Sequence, residues 1–405
     1  MTSRTQRRYW PKASPGPWDR RKPSHMTDHA PITAINTALI VGGGIGGMAA
    51  AIDLAARGVA VTLIDLDPEW RVYGAGISIT GPTLRAYKRL GMVEDIAREG
   101  AIVAGSSMFL FNGMHMRDFD EPPIEEGLPA TGGIMRPVLH HLMQQRIAAA
   151  GIPVRLGVTV DTLANRDGGV DVTFSDGTSG RFDLVIGADS VRSRVRDLAF
   201  PHMGEAVRTG QGCWRVSMKK PPTLERGEMF FGHRYMVGIT RCGEDRIYLW
   251  LLTPHEDSEE RLEGEALVAQ MKAHLADFGG NAGWVRDSMT AEDWVNYRPL
   301  AAMIQPRPWS DGRIVLLGDA VHATTPHLAS GAGIAVESAL VLGEELARAA
   351  TAEAALTAYE ERRYERCRDV VETSVSIGAA QLAGRPGEEI GGIMGAALHR
   401  LAKPF

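Results

Sequence analysis

Short apolar runs alternate along this chain with stretches of small helix-forming residues, a pattern that predicts a parallel α/β core. Ala38-Leu-Ile-Val41 is an apolar run of strand length. Glycines follow it, and 48–56 is then rich in alanine and leucine, a helix that Gly58 stops. Val61-Thr-Leu-Ile64 supplies a second strand. Two strands joined through a helix need a crossover, and such crossovers are parallel and right-handed. Farther along, the pattern predicts helices over 82–98 and 136–149 and strands over 154–156, 158–160, 170–174 and 183–186. Ser175-Asp176-Gly177 is a turn between two of those strands.

The rhythm changes over 208–252. Arg246-Ile-Tyr248-Leu-Trp250-Leu alternates strictly, so Arg246, Tyr248 and Trp250 share one face of a strand and Ile247, Leu249 and Leu251 the other. The aliphatic face suits a core and the cationic, aromatic face suits a pocket wall, with Arg215 and Tyr235 as further candidates. A helix is expected over 262–278. Ile314-Val-Leu-Leu317 then reads as another buried strand, ended by Gly318-Asp319. A loop containing Pro326 and a small-residue turn lead into helices that continue to about residue 401.

Composition narrows the class of protein. With 405 residues the chain can bury a large core and form two lobes. Hydrophobic residues make up 44% and charged residues 23%, the balance of an ordinary globular protein. A net charge of -5 gives no electrostatic reason to expect nucleic acid as a partner. Cys213, Cys242 and Cys367 form no CxxC pair, which argues against a zinc site or a disulfide framework and fits a cytoplasmic location. They read as small buried hydrophobes. No apolar run is long enough to span a membrane. The first 25 residues differ, with seven Lys or Arg, one acid and four prolines. No apolar segment follows Arg7-Arg8, so an export signal is not indicated. A disordered basic tail over 1–35, or translation starting at Met26, accounts for this stretch.

The chemistry concentrates at two motifs. Gly42, Gly44 and Gly47 satisfy GxGxxG between a strand and a helix. In that pattern the first glycine allows a tight turn, the second lets backbone approach a pyrophosphate, and the third lets helix and strand pack closely. The helix N-terminus then faces the phosphates. Asp65 ends the second strand at the spacing where an acid bonds the ribose of an adenine dinucleotide. No second glycine motif has this context, so the chain has one dedicated dinucleotide site.

Taken together, these segments resemble the single-component FAD-dependent monooxygenases, the aromatic hydroxylases that include hydroxybenzoate, salicylate and urate hydroxylases. The resemblance covers nearly everything after residue 36. It rests on Gly42–Asp65, on Gly74-Ala-Gly76-Ile, on Asp183-Leu-Val-Ile-Gly-Ala-Asp189-Ser190 with the arginines that follow, and on Gly318-Asp319. The fold it implies is a Rossmann-type α/β FAD-binding domain with an inserted mixed β-sheet substrate domain and a helical C-terminus. In this chain those are 36–107, 130–205 and 300–370 for FAD, 108–129 and 206–299 for substrate, and 371–405 for the C-terminal helical segment. The cofactor set implied by the resemblance is non-covalent FAD, NAD(P)H as transient reductant and O2. Cofactor contacts fall on Gly42, Gly44, Gly47, Asp65, Gly76, Arg136, Asp189, Asp319, Pro326, Gly331, Ala332 and Gly333. The implied reaction hydroxylates a small aromatic or heteroaromatic molecule through a flavin C4a-hydroperoxide.

His327, next to Pro326 on the loop expected to face the flavin, is the candidate catalytic base, because histidine titrates near neutrality. His322 reads as a hydrogen-bonded histidine at a loop junction. The chain departs from the family twice. Ser190 stands where the third motif normally has glycine, a position whose backbone serine disfavours. Leu-Ala329-Ser330-Gly replaces the common Leu-Gly-Gln-Gly. The first departure points mildly to the alternative activity, a flavin reductase or dehydrogenase that transfers no oxygen. A non-enzymatic flavin-binding protein is the remaining alternative. Oligomeric state and substrate identity are left open.

Overall fold

The computed structural model describes residues 30–72, 74–233, 235–256 and 262–405, so most of the basic tail lies outside the described residues. A six-stranded sheet forms the centre of the nucleotide-binding half. Its order is Ser310–Asp311, Ile314–Leu316, Leu184–Gly187, Thr37–Val41, Ala60–Asp65 and Val154–Leu156, all parallel except the first pair. Ala38–Val41 and Leu184–Ile186 are almost wholly buried, as expected for parallel strands covered on both faces. The helices Ile45–Ala56, Arg136–Ala149 and Gly331–Arg348 pack around this sheet. The last two elements of the chain are the long helix Ala352–Leu382 and the helix Gly387–Leu401.

Three expected elements come out differently. The helix expected over 82–98 is two helices, Gly81–Arg89 and Val93–Glu99, because Gly91 takes a left-handed φ of 64°. The helix expected over 262–278 runs only over Gly264–His274, and a separate helix follows at Gly280–Ser288. The strand expected over 158–160 begins at its last residue and runs over Val160–Arg166, within a three-stranded antiparallel sheet.

A second, seven-stranded sheet stands beside the nucleotide half. Its order is Trp294–Ala302, Val207–Lys219, Arg246–Pro254, Met236–Arg241, Gly227–Phe231, Gly105–Leu110 and His115–Asp120. It is mixed, since Gly227–Phe231 pairs parallel to Gly105–Leu110 and the other pairs are antiparallel. One face carries Val216, Met218, Ile247, Leu249 and Leu251 into a core with the helices Gly264–His274 and Gly280–Ser288. The opposite face meets the small sheet formed by Gly76–Ile79, Thr131–Met135 and Ala101–Val103. Glycine permits that approach: a Cβ on Gly76 would lie 2.2 Å from Cys242 Sγ and 2.6 Å from Tyr248 Cβ. The two halves therefore pack directly against each other through this face.

Candidate active site

The glycine turn has the geometry its spacing predicts. Gly42 has φ 108°, and a Cβ there would lie 2.4 Å from Ala188 O. A Cβ on Gly47 would lie 1.9 Å from Gly42 O, so only glycine lets helix and turn close. Beside Gly44 the space is open, with nothing within 4 Å of a Cβ. The helix Ile45–Ala56 starts immediately after it, and no side chain caps its first N–H groups. Those groups remain available to an anion, as a pyrophosphate site requires. Asp65 closes the second strand beside the turn. Its Oδ2 accepts from Gly43 N at 2.7 Å and its Oδ1 from Asp67 N at 2.8 Å.

At the other end, Gly318 (φ 66°) turns the chain after Ile314–Leu316, and its carbonyl accepts from Val321 N and His322 N. Asp319 and Arg136 are both solvent-accessible although protein surrounds them, so they line a deep crevice. Burial holds the Asp319 carboxyl above its ordinary range. Burial, reinforced by the Arg215 charge, lowers the proton affinity of Arg136, while Tyr248 and Asp319 oppose that shift. Arg136 opens its helix, and its backbone N–H donates to Ala75 O at 3.1 Å.

Pro326–Leu328 forms a short turn, Ala329 reverses the chain at φ 49°, and the helix Gly331–Arg348 begins with Gly331, Ala332 and Gly333. A Cβ on Gly333 would lie 2.3 Å from Thr83 Oγ1, so the glycine lets this helix approach Gly81–Arg89. Ser190 has φ 73°. Both family glycines replaced here, at 190 and at 329, therefore sit in left-handed backbone, as the comparison of motifs anticipated for Ser190. Asp189 is occupied locally: Ser193 Oγ donates to Oδ1 at 2.5 Å and Val195 N to Oδ2 at 3.1 Å, which ties it to the start of Arg194–Ala199.

Across the crevice, antiparallel pairing puts Arg215 opposite Trp250 and Ser217 opposite Tyr248, on one face. Ser217 Oγ lies 3.4 Å from Met135 Sδ, so this face looks toward the nucleotide half. Arg215 Nε donates to Tyr248 Oη at 3.2 Å. Burial pushes the Tyr248 phenol up to about 12. Trp250 packs flat over Gly238, where a Cβ would lie 2.2 Å from the indole. Arg246 shares the face at the outer end of the strand.

Two expectations need correction. Tyr235 lies on the other face of the sheet, edge-on to His274 with ring centroids 5.4 Å apart, because it has the same parity as the core residue Val237. His327 is not free to act as a base. Its Nδ1 lies 2.8 Å from Thr325 Oγ1 and its Nε2 3.2 Å from Gln381 Oε1, on the long helix Ala352–Leu382. Burial pushes its pKa down to about 4, so it is neutral and fully hydrogen-bonded at physiological pH.

Sequence reading missed Trp70 and His140, both of which contact the carbonyl of Gly43. No local pattern marks them. It also missed Cys213, buried on the Arg215 face; the two-residue spacing Cys213-Trp214-Arg215 would have found it. His322, fully buried, lies 3.1 Å from Ser338 Oγ through Nε2, as a structural histidine. All three cysteines are buried and unpaired. Among the described residues there is no His, Cys, Asp and Glu cluster able to hold a metal, and no helix long and apolar enough to cross a membrane.

The chain thus carries a glycine turn open to an anion and a Gly-Asp turn beside Arg136. A sequence profile for the FAD binding domain family matches residues 36–374. The chain belongs to this family of FAD-dependent monooxygenases. YetM of Bacillus subtilis is 32% identical over 353 residues, covering 87% of this chain and 95% of YetM. A 2-heptyl-3-hydroxy-4(1H)-quinolone synthase of Mycobacteroides abscessus is 30% identical over 340 residues, 80% of this chain and 85% of that protein. An FAD-dependent urate hydroxylase of Klebsiella oxytoca is 29% identical over 348 residues, 82% and 87% respectively. Among solved structures, Klebsiella pneumoniae HpxO complexed with FAD and uric acid superposes with a TM-score of 0.79 at 24% identity, covering 91% of this chain and 97% of that one. The protein is an FAD-dependent monooxygenase of the aromatic-hydroxylase type, with a Rossmann-type α/β fold. The residues present fit FAD: the space beside Gly44 is open, the first N–H groups of the following helix have no side-chain cap, and Arg136 is accessible beside Asp319.

Proposed function

We propose that the enzyme uses NAD(P)H and O2 to hydroxylate a planar, acidic aromatic or N-heteroaromatic molecule held between the flavin groove and the seven-stranded sheet. The observation that carries this reading is the pair of half-buried Arg215 and buried Tyr248, on the sheet face that looks across at Arg136. Arg215 spends Nε on Tyr248, and no carboxylate pairs with it among the described residues. Its remaining guanidinium N–H groups are suited to a phenolate, enolate or carboxylate. Trp250 supplies an apolar wall against which a ring can lie. Two relatives are named for nitrogen heterocycles, urate and a quinolone, which supports the same substrate class.

On this reading Gly42, Gly44, Gly47 and Asp65 hold the ADP half of FAD, and Arg136, Asp319 and the Pro326–Gly333 segment hold the flavin half. When bound, FAD would supply the redox chemistry, taking electrons from NAD(P)H and activating O2 for transfer of one oxygen atom to the substrate. The chain's own contribution is placement. Arg215 stabilises the ionised form of the substrate and so the electron-rich ring. Tyr248, un-ionised at neutral pH, keeps its proton on Oη and acts as an orienting donor or acceptor. With His327 locked, the Arg215 charge takes over the task expected of a base, by lowering the substrate's own pKa.

The reductase alternative drew support from the missing glycine at 190. Ser190 adopts the left-handed conformation regardless, so the motif keeps its backbone course and that support falls away. The test is a panel of phenols and N-heteroaromatics assayed for stimulated NAD(P)H oxidation with oxygenated product. Acidic members should be favoured. Equal stimulation by neutral and anionic members would reject the role given to Arg215.

A further inference from the structure

The glycine turn carries a polar arrangement that FAD binding by itself does not demand. Trp70 Nε1 donates to Gly43 O at 2.9 Å, and His140 Nε2 lies 3.2 Å from the same oxygen. Burial lowers the proton affinity of His140, so the ring is neutral, and a carbonyl partner assigns its proton to Nε2. Both lone pairs of one carbonyl are thus taken. The two rings meet edge to face, with centroids 5.7 Å apart and planes at 82°. Gln144 Nε2 holds the Trp70 carbonyl at 3.4 Å. Glycine at 43 is required, since a Cβ there would lie 2.3 Å from Trp70 Nε1. Trp70 itself has φ 46°, a left-handed conformation rare for a bulky side chain. Strain of this kind persists where surrounding contacts over-determine a functional geometry.

A trans peptide points its C=O and its N–H in opposite directions. Fixing Gly43 O against Trp70 and His140 therefore turns Gly44 N–H the other way, away from both rings. We propose that Trp70 and His140 are positioning residues that clamp the Gly43–Gly44 peptide with its N–H aimed at the pyrophosphate of FAD. The preceding peptide is locked as well, because Gly43 N–H donates to Asp65 Oδ2. Two consecutive peptides of the turn are thus set before the ligand arrives, which removes an ordering cost from binding. Without the clamp the Gly43–Gly44 peptide is free to flip and present a carbonyl oxygen to the phosphates.

This rests on the FAD assignment, and the test separates the two. The full-length protein, reversibly stripped of flavin, is titrated with FAD, ADP and riboflavin. Trp70→Phe keeps the ring and removes the donor; His140→Ala removes the other, and His140→Gln returns an N–H. We expect Trp70→Phe and His140→Ala each to weaken FAD and ADP by the same factor, roughly threefold to tenfold for one neutral hydrogen bond, with riboflavin affinity unchanged. His140→Gln should recover part of the loss. Trp70→Phe weakening riboflavin as much as ADP, or leaving ADP unchanged, would overturn the clamp. Wild-type protein that takes up neither FAD nor ADP would instead undo the cofactor assignment. Should Trp70→Phe fail to fold, the His140 pair decides by the same criterion.

Discussion

Ser190→Gly should stabilise this protein, although glycine usually weakens a fold. Ser190 sits at φ 73°. A left-handed conformation costs a non-glycine residue about 1–2 kcal/mol, and replacement by glycine relieves it. Against this, glycine adds freedom to the unfolded chain worth about 0.5–1 kcal/mol. The serine side chain is exposed, so little packing is lost. The net expectation is a gain of about 0.5–1 kcal/mol, or roughly 1 °C in Tm for a chain of this size. Ala329 gives an internal comparison. It sits at φ 49° but is half-buried, so Ala329→Gly also removes a partly packed methyl worth up to about 0.8 kcal/mol, and the two effects nearly cancel. Calorimetry of both variants, with Ser190→Ala as a control that keeps the strain, separates these contributions. Ser190→Gly falling below wild type, or gaining no more than Ser190→Ala, would refute the reasoning.

Other perturbations give equally definite outcomes. Arg215→Met should raise KM for acidic substrates by about 10- to 100-fold, the loss of a charge-assisted hydrogen bond, while FAD content stays at the wild-type level; loss of flavin instead would move Arg215 to the cofactor side. Glu228 is buried with one oxygen lacking a partner in the structure, and burial raises its pKa from 4.5 to about 7, with the Asn281 bond opposing. The native state therefore holds an extra proton between pH 4.5 and 7, so its contribution is intact below pH 4.5 and lost as pH rises to about 7. Glu228→Gln should match wild type in acid and exceed it by about 2–3 kcal/mol at pH 8, read by denaturant unfolding across pH. His327→Gln should leave the shape of the pH–rate profile unchanged from pH 5.5 to 8, because the imidazole is already neutral there; disappearance of an inflection near 6.5 would restore the base role.

The sequence disclosed most where chemistry restricts residue choice. Gly42, Gly47 and Asp65 were legible because a tight turn, a close helix contact and a strand-end acid each accept few residue types. Ser190 and Ala329 stood out for the converse reason, occupying positions where glycine is the easy answer. The strict alternation over 246–251 gave the strand and placed Arg246, Tyr248 and Trp250 on one face, opposite the aliphatic core face. It could not be carried to Tyr235, since facing in a neighbouring strand depends on hairpin register. The Thr131–Met135 strand was invisible because Thr-Gly-Gly-Ile-Met has weak strand propensity; its glycines serve sheet contact, a Cβ on Gly133 lying 2.3 Å from Arg241 O. His327 lies in the short turn Pro326–Leu328, and its ring is held by Gln381, over fifty residues away, which no local pattern conveys.

The fate of oxygen tests monooxygenation by this enzyme most directly. Holoenzyme turned over with NAD(P)H under 18O2, with the acidic heteroaromatic that most stimulates NAD(P)H oxidation, should form product carrying one 18O atom, in an amount that accounts for most of the NAD(P)H consumed. NAD(P)H oxidation yielding only labelled peroxide, with no labelled organic product from any acidic ring compound, would contradict it.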